Sequence, residues 1–556
     1  MDVARSNLPA LVADFAPSDT ARAPFTDLLL NWVDKHRRAF FIFVGLIYIA
    51  GFNGQWRAEP DSALYLCVAR ALVSGQGYTY HNIPHQLAYP GLPLIVAGTF
   101  EIFHTRSIWP AQVLLVMFGA AALALTYRMM SLFAGRKTAV LITVGLALTR
   151  LFFRYCFEMM TDMPFLTGVL AFLAGYEAVC IAPMRGRGAS DSPSEAASYN
   201  EPIEQAVRPR RSGRWYDWAL MISGLALTLV MRPAVLSFLP VVIGVSGVSF
   251  IRRWSRHRRA AAVVGAVALI AVVGAAIFYS LDPRRAGQNV LGEYEQEILQ
   301  RTFHQTGEVM RIALFENIPE LFHESLAQSM FGQQLGPLGP IVAIVVFSVA
   351  IGLARRRPMW GLWVASTVLM MIIVLPHDRY LLAVLPLLVY SWWLIIVWVN
   401  RKLPGTWGNL AAAFMIYFGL VYNGLQIGRT IIEQRHIPFL AYYQDGQCQA
   451  LADMGARIHT IVPKDAFVLA PKKTARILSW YSNRLVVESN DLPAIDPKQQ
   501  DVYVMVDPED QESKLWERQI VDQLHLAWGA NQTAPITTIA RARPHSPLKL
   551  WKAQPE

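Results

Sequence analysis

The sequence predicts a polytopic α-helical membrane protein with a small α/β domain at its C-terminal end. Three observations carry that prediction. Apolar runs of about 20 residues recur along most of the 556-residue chain, each long enough to cross a hydrocarbon core of about 30 Å. Charged side chains make up only 16% of the residues and hydrophobic ones 54%, whereas a soluble domain carries about 25% charge. Basic residues also fall in alternate loops between the runs, as the positive-inside rule asks of an inserted chain. The composition excludes a disordered chain, collagen-like repeats and a disulfide scaffold, since the four cysteines form no C-x-x-C pair.

Eleven spanning helices are expected, over 39–55, 108–134, 137–157, 162–182, 217–233, 234–251, 260–280, 337–354, 359–376, 380–399 and 407–427. The basic loops around Arg37, Arg136, Arg210, Arg256, Arg356 and Arg401 then all share one side, the cytoplasm. The chain accordingly reads as a cytoplasmic N-terminal tail (1–38), a transmembrane module (39–427) and an extracytosolic α/β domain (428–556). The module's outer loops are 56–107 and 281–336. Residues 183–216 hold Pro, Gly, Ser and several Arg without periodicity, and read as a disordered cytoplasmic loop. No secretory signal peptide is expected, because residues 1–38 lack an apolar core with a cleavage site. The net charge of +10 is therefore assigned to topology signals facing anionic lipid, with no nucleic acid as partner.

The first outer loop is itself apolar. Residues 61–74 and 91–103 have helical patterns too short to span, which suits helices lying in the membrane interface. The first stops at Gly75-Gln76-Gly77. In the tail, helical stretches at 441–460, 474–481 and 511–525 alternate with strand-like runs at 466–470, 485–487, 502–506 and 536–540, the pattern of an α/β unit. It contains no phosphate loop, metal spacing or nucleophile elbow, so acceptor contact or gating is its expected role.

Asp61 opens the first interfacial segment just after Pro60. A carboxylate there caps the helix or, reachable from outside, takes a proton from a hydroxyl. Glu158 and Asp162 form a second acidic pair at a turn of similar depth, where capping accounts for one of them. Arginines on the outer side run against the positive bias: Arg57, Arg70, Arg150, Arg154, Arg232 and Arg379. Interfacial anchoring explains such residues, and so does a guanidinium held ready for a lipid phosphate. Tyr380 directly follows Arg379. His81 and His85 have metal-ligand spacing but no third ligand, and no metal or other cofactor is expected.

Several segments resemble the GT-C superfamily of membrane glycosyltransferases, most of all the protein O-mannosyltransferase and aminoarabinose (lipid A) transferase group. They are Asp61-Ser-Ala-Leu-Tyr65 with Arg70 and Gly75-Gln-Gly-Tyr78, then Tyr89-Pro-Gly-Leu-Pro93, Thr161-Asp-Met-Pro-Phe165, Thr228-Leu-Val-Met-Arg-Pro233 and Arg379-Tyr-Leu-Leu382. The resemblance implies the GT-C fold and a sugar donor linked to a polyprenyl phosphate, used on the extracytosolic face toward a lipid, glycan or protein acceptor. Asp61 matches the family's catalytic acid, Asp162 its second acidic motif with Glu158 as neighbour, and Arg232 and Arg379 its phosphate-contacting basic residues. Arg57, Tyr89 and Tyr380 are carried over as neighbours of that phosphate. The family often has Lys-Pro-Pro where this chain reads Ala88-Tyr-Pro-Gly91, so one phosphate-binding lysine is absent. The competing reading is a multi-pass transporter or lipid carrier without catalysis.

Overall fold

A computed structural model describes residues 24–54, 56–80, 83–84, 89–181, 215–232, 234–253, 306–374, 376–436, 447–463, 466–488, 501–506, 526–527, 535–539, 547–552 and 554–555. The protein is an integral membrane protein built of packed helices. Among the described residues four helices are long and apolar enough to cross a membrane: Trp109–Phe133, Asp162–Cys180, Gly336–Arg355 and Gly405–Ile432. Shorter apolar helices pack with these, among them Trp215–Met231 and Pro358–Ile373. The expected helices at 260–280 and 511–525, His81, His85 and most of the 183–216 loop lie outside the described residues. Trp215 and Tyr216, expected in that loop, already belong to the following helix.

The helix Asp162–Tyr176 is the axis of the bundle, with every residue buried. Trp215–Met231 lies along it through small residues. A Cβ on Gly224 would fall 2.4 Å from the Phe172 nitrogen, and one on Gly168 would fall 2.7 Å from the Thr228 hydroxyl. In lipid, where apolar burial gives little drive for helices to associate, such close backbone approach supplies the packing. The pair sets Asp162 and Arg232 at one end and Glu177 and Asp217 at the other.

Four expectations need correction. The span expected over 137–157 is two helices, Arg136–Ala147 and Arg150–Tyr155, because Thr149 takes an extended backbone. The break is tolerated because side chains take up the freed backbone groups: the Tyr48 hydroxyl donates to the Ala147 carbonyl at 2.9 Å, and the Arg150 N–H donates to Asn423 Oδ1 at 3.2 Å. Part of the N-terminal tail, Phe25–Lys35, is helical and joins the bundle, where Thr26 is buried and donates from Oγ1 to Asn400 Oδ1 at 3.0 Å. Residues 306–331 of the expected outer loop are helical, with two π turns. The span expected from 380 begins at Leu385, with Pro386 in its first turn, and Asp378–Leu381 forms a separate turn before it.

The segment expected as the first outer loop contains the helices Pro60–Val73 and Gly91–Ile102. Gly75 and Gly77 end the first with φ of +74° and +75°, values that glycine adopts without a Cβ clash. In the tail, five strands form one sheet in the order Val486–Glu488, Phe467–Ala470, Val502–Val506, Leu548–Lys552 and Thr537–Ile539. The first three are parallel and the last two antiparallel to their neighbours. The helix Lys472–Ser482 makes the crossover between the first parallel pair. Leu66 and Val96 of the outer loop share one hydrophobic cluster with Met454, Ile477 and Leu478 of the tail. The tail is therefore docked on the outer loop through a common core.

Candidate active site

The docked helix Pro60–Val73 brings its first turn against the ends of the bundle helices. Pro60 takes the first helical position, which suits its fixed φ and missing N–H. Glu59 is consequently the N-cap residue, its own N–H donating to Ser62 Oγ at 3.0 Å. Asp61 stands one position inside the helix, so the capping role expected for it falls to Glu59. Its carboxylate is left for other partners.

Those partners are two guanidinium groups. Asp61 Oδ2 accepts from Arg379 Nη1 at 3.0 Å, and Oδ1 accepts from Arg476 Nη1 at 3.4 Å. The Asp61 side chain is 37% exposed, against 22% for Arg379 and 18% for Arg476. Arg379 sits in the turn Asp378–Leu381, ahead of the helix whose start Pro386 delays. Arg476 projects from the second turn of Lys472–Ser482, in the tail. One carboxylate thus joins the membrane module and the sheet unit.

Asp162 and Arg232 form a direct ion pair with both side chains buried. The Arg232 guanidinium lies 4.9 Å from the Tyr380 ring centre and that of Arg379 lies 5.3 Å from the same ring. The ring face and the two carboxylates allow these like charges to stand close together, since a π-face attracts a cation. Arg154 forms a third node. Its Nε donates to Glu158 Oε1 at 2.5 Å, and its Nη2 reaches Glu59 Oε1 at 3.5 Å.

Burial pushes the Glu59 carboxyl up to about 7; the neighbouring Glu158 charge adds to the rise and Arg154 opposes it. Burial also acts against Asp378, yet the His377 ring and the Arg154 guanidinium hold that carboxyl below the usual carboxylate range. The His377 Nδ1 lies 2.7 Å from Asp378 Oδ1. Among the described residues no group of three or more His, Cys, Asp or Glu side chains is arranged to hold a metal ion.

Of the residues singled out from sequence, Asp61, Glu158, Asp162, Arg232, Arg379 and Tyr380 meet here. Arg57 is buried beside them, its guanidinium 4.9 Å from the Phe157 ring centre and its Nη1 donating to the Arg154 carbonyl at 3.3 Å. Tyr89 is half-buried two residues before Gly91–Ile102. Three members of the ionic network went unnoticed in the sequence: Glu59, Asp378 and Arg476. The Glu59-Pro60-Asp61 triplet offered a signal for the first, since a proline at the first helical position assigns the cap to the residue before it. Arg476 lies 415 positions from Asp61 and carried no local signal.

Chemically the arrangement is a half-exposed carboxylate backed by a row of guanidinium groups, at the junction of apolar helices and a polar domain.

This architecture is the GT-C fold. At the level of sequence, no family profile and no characterised protein matches the chain. Among solved structures it is similar to ArnT from Cupriavidus metallidurans bound to undecaprenyl phosphate, with a TM-score of 0.52 and 11% identity over 94% of this chain and 98% of that one. It is also similar to the Archaeoglobus fulgidus oligosaccharyltransferase tethered to an acceptor peptide, with a TM-score of 0.55 and 10% identity over 92% and 74% of the two chains. The same archaeal enzyme, AglB, in complex with an inhibitory peptide and a dolichol-phosphate, gives a TM-score of 0.53 and 10% identity over 88% and 71%. At these identities the likeness is one of fold.

Proposed function

We propose that this protein is a membrane glycosyltransferase that moves a sugar from a polyprenyl-phosphate donor to a hydroxyl-bearing acceptor, lipid, glycan or protein, outside the cytoplasm. The observation that carries the reading is the Asp61 carboxylate, open at the junction of membrane module and tail and faced by Arg379 with Arg232 behind it. The similar structures hold undecaprenyl phosphate, an acceptor peptide, and an inhibitory peptide together with a dolichol-phosphate. That supports a lipid phosphate on one side of this carboxylate and an acceptor on the other.

In this mechanism the acceptor oxygen attacks the anomeric carbon while Asp61 takes its proton. The bond from that carbon to the phosphate oxygen breaks, and the lipid phosphate leaves with the electron pair. Arg232 and Arg379 stabilise the charge growing on the phosphate, in a site where partial exclusion of water strengthens each contact. Tyr380 holds the two guanidinium groups in place. Glu158 and Asp162 fix Arg154 and Arg232 from behind. Direct displacement inverts the anomeric configuration. The positive-inside reading sets Asp61 and the tail on the outer face, with the N-terminus in the cytoplasm.

Two measurements test this together. Reporter fusions within 56–107 and after residue 430 should both report the outer face. Purified protein given radiolabelled polyprenyl-phosphate sugars and a membrane extract should transfer label to an acceptor. Either fusion reporting the cytoplasm, together with no consumption of any donor, would favour a non-catalytic carrier.

A further inference from the structure

Asp61 has both carboxylate oxygens engaged, and the two partners come from different bodies. Arg379 belongs to the membrane module and shares the Tyr380 ring with Arg232. Arg476 arrives from the tail, and a separate anchor fixes its position. Arg70, on the same helix as Asp61, donates to the Ser479 carbonyl at 3.4 Å and the Trp480 carbonyl at 3.3 Å, and lies 4.6 Å from the Trp480 ring centre. Trp56 packs on Trp480 and Tyr481 with ring centres 6.0 and 5.2 Å away. The helix carrying Arg476 is thus clamped at its far end, and the contact of Arg476 with Oδ1 is the longer of the two on Asp61.

A guanidinium on a carboxylate oxygen covers one of its two lone-pair directions, so each arginine narrows the approach of a hydroxyl that must come within about 2.6–3.2 Å to lose its proton. Withdrawal of one arginine widens that approach. Arg379 faces the side assigned to the donor phosphate, which leaves Arg476. Water competes for the same activated sugar, and a half-exposed carboxylate with a free oxygen would serve water as well as any acceptor. A guanidinium held by a docked domain separates the two. Water gains too few contacts to displace it, while an acceptor that packs between tail and membrane module gains enough. Binding energy from remote parts of the acceptor is then used to assemble the reactive arrangement.

We propose that Arg476 is a positioning residue that guards Asp61: it occupies Oδ1 while no acceptor is bound, suppresses hydrolysis of the donor, and is displaced when the acceptor enters beside the tail. This rests on the glycosyl-transfer reading. In the suppressed side reaction a water oxygen attacks the anomeric carbon, Asp61 takes one of its protons, the carbon–phosphate-oxygen bond breaks, and free sugar and lipid phosphate result.

The full-length protein in nanodiscs is given a panel of synthetic short-chain polyprenyl-phosphate hexoses and pentoses without acceptor, and free sugar is measured. Arg476→Gln should release sugar at least five-fold faster than the unaltered protein. Arg476→Lys, which keeps a cation at the site, should stay near the unaltered rate, a rescue that mere loosening of the tail would not give. The double variant Arg476→Gln/Asp61→Asn should lose the added hydrolysis. Equal release by Arg476→Gln and the unaltered protein overturns the guard; if transfer to a membrane-extract acceptor persists, the transferase reading stands. If no donor is consumed with or without extract, both fall.

Discussion

The two ends of the central helix pair hold ion pairs of opposite character. Helix Asp162–Tyr176 and its neighbour Trp215–Met231 present Asp162 and Arg232 at one end. About 22 Å away, at 1.5 Å per residue, they present Glu177 and Asp217. At this far end Arg357 Nε stands 3.1 Å from Glu177 Oε2 with side-chain exposures of 9% and 3%, and Arg128 pairs directly with Asp217. Arg357 also lies 4.7 Å from the Phe133 ring centre. These pairs staple helices together with both carboxylates buried. At the near end the Asp162–Arg232 pair is buried too, but its arginine shares the Tyr380 ring with Arg379, which opens on a node where two arginines share the half-exposed Asp61. A closed buried pair holds the fold, whereas a shared and accessible one leaves charge for a substrate.

The comparison is broken most severely by cutting a buried pair on one side only. Asp162→Ala strands Arg232 in an apolar setting, which costs about 3–5 kcal/mol, and thermal unfolding in detergent should show the largest loss of all single changes here. Glu177→Ala should cost a similar amount, yet the molecules that remain folded should transfer sugar at the unaltered rate. A matching loss of specific activity in Glu177→Ala would erase the distinction between the two ends. Next in size, Arg379→Gln should leave stability nearly unchanged and lower kcat about 10²–10³-fold, the usual effect of removing one preorganised charge contact. Equal falls in activity and stability would instead make Arg379 a structural residue.

The smallest effect is on pH dependence. The Glu59 carboxyl titrates near 7 in the folded protein and near 4.3 in an unfolded chain. Between these values the folded state binds the extra proton, so this group's contribution to stability declines as pH rises and is fully lost above about 7. Glu59→Gln removes the titration. Its melting temperature relative to the unaltered protein should therefore rise from pH 5 to pH 8, and a flat difference across that range would place the Glu59 carboxyl at its ordinary value.

Much of this was legible in the sequence because hydropathy and turn chemistry are local. The two short helices Pro60–Val73 and Gly91–Ile102, the glycine stop at Gly75 and Gly77, and the described strands and helices of the tail all follow from short patterns. Arg154, Arg232 and Arg379, expected on the outer side against the positive bias, lie in the ionic network around Asp61, Glu158 and Asp162. What stayed hidden depends on long-range packing. The break at Thr149 requires Tyr48 and Asn423 to receive the freed backbone groups, and neither is near in sequence. The N-terminal helix was hidden because its buried contact, Thr26 to Asn400, spans 374 positions. Arg476 looks like any cation on the polar face of a surface helix until the tail docks on Asp61.

The most direct test of the central claim is sugar transfer by Asp61→Asn. The change keeps the shape of the side chain and removes its capacity to take a proton. Transfer from a radiolabelled polyprenyl-phosphate sugar should fall by about 10²–10⁴-fold, with binding of the lipid donor retained, since Arg232 and Arg379 remain in place. Turnover at the unaltered rate would contradict the account, because the proton would then leave the acceptor by another route.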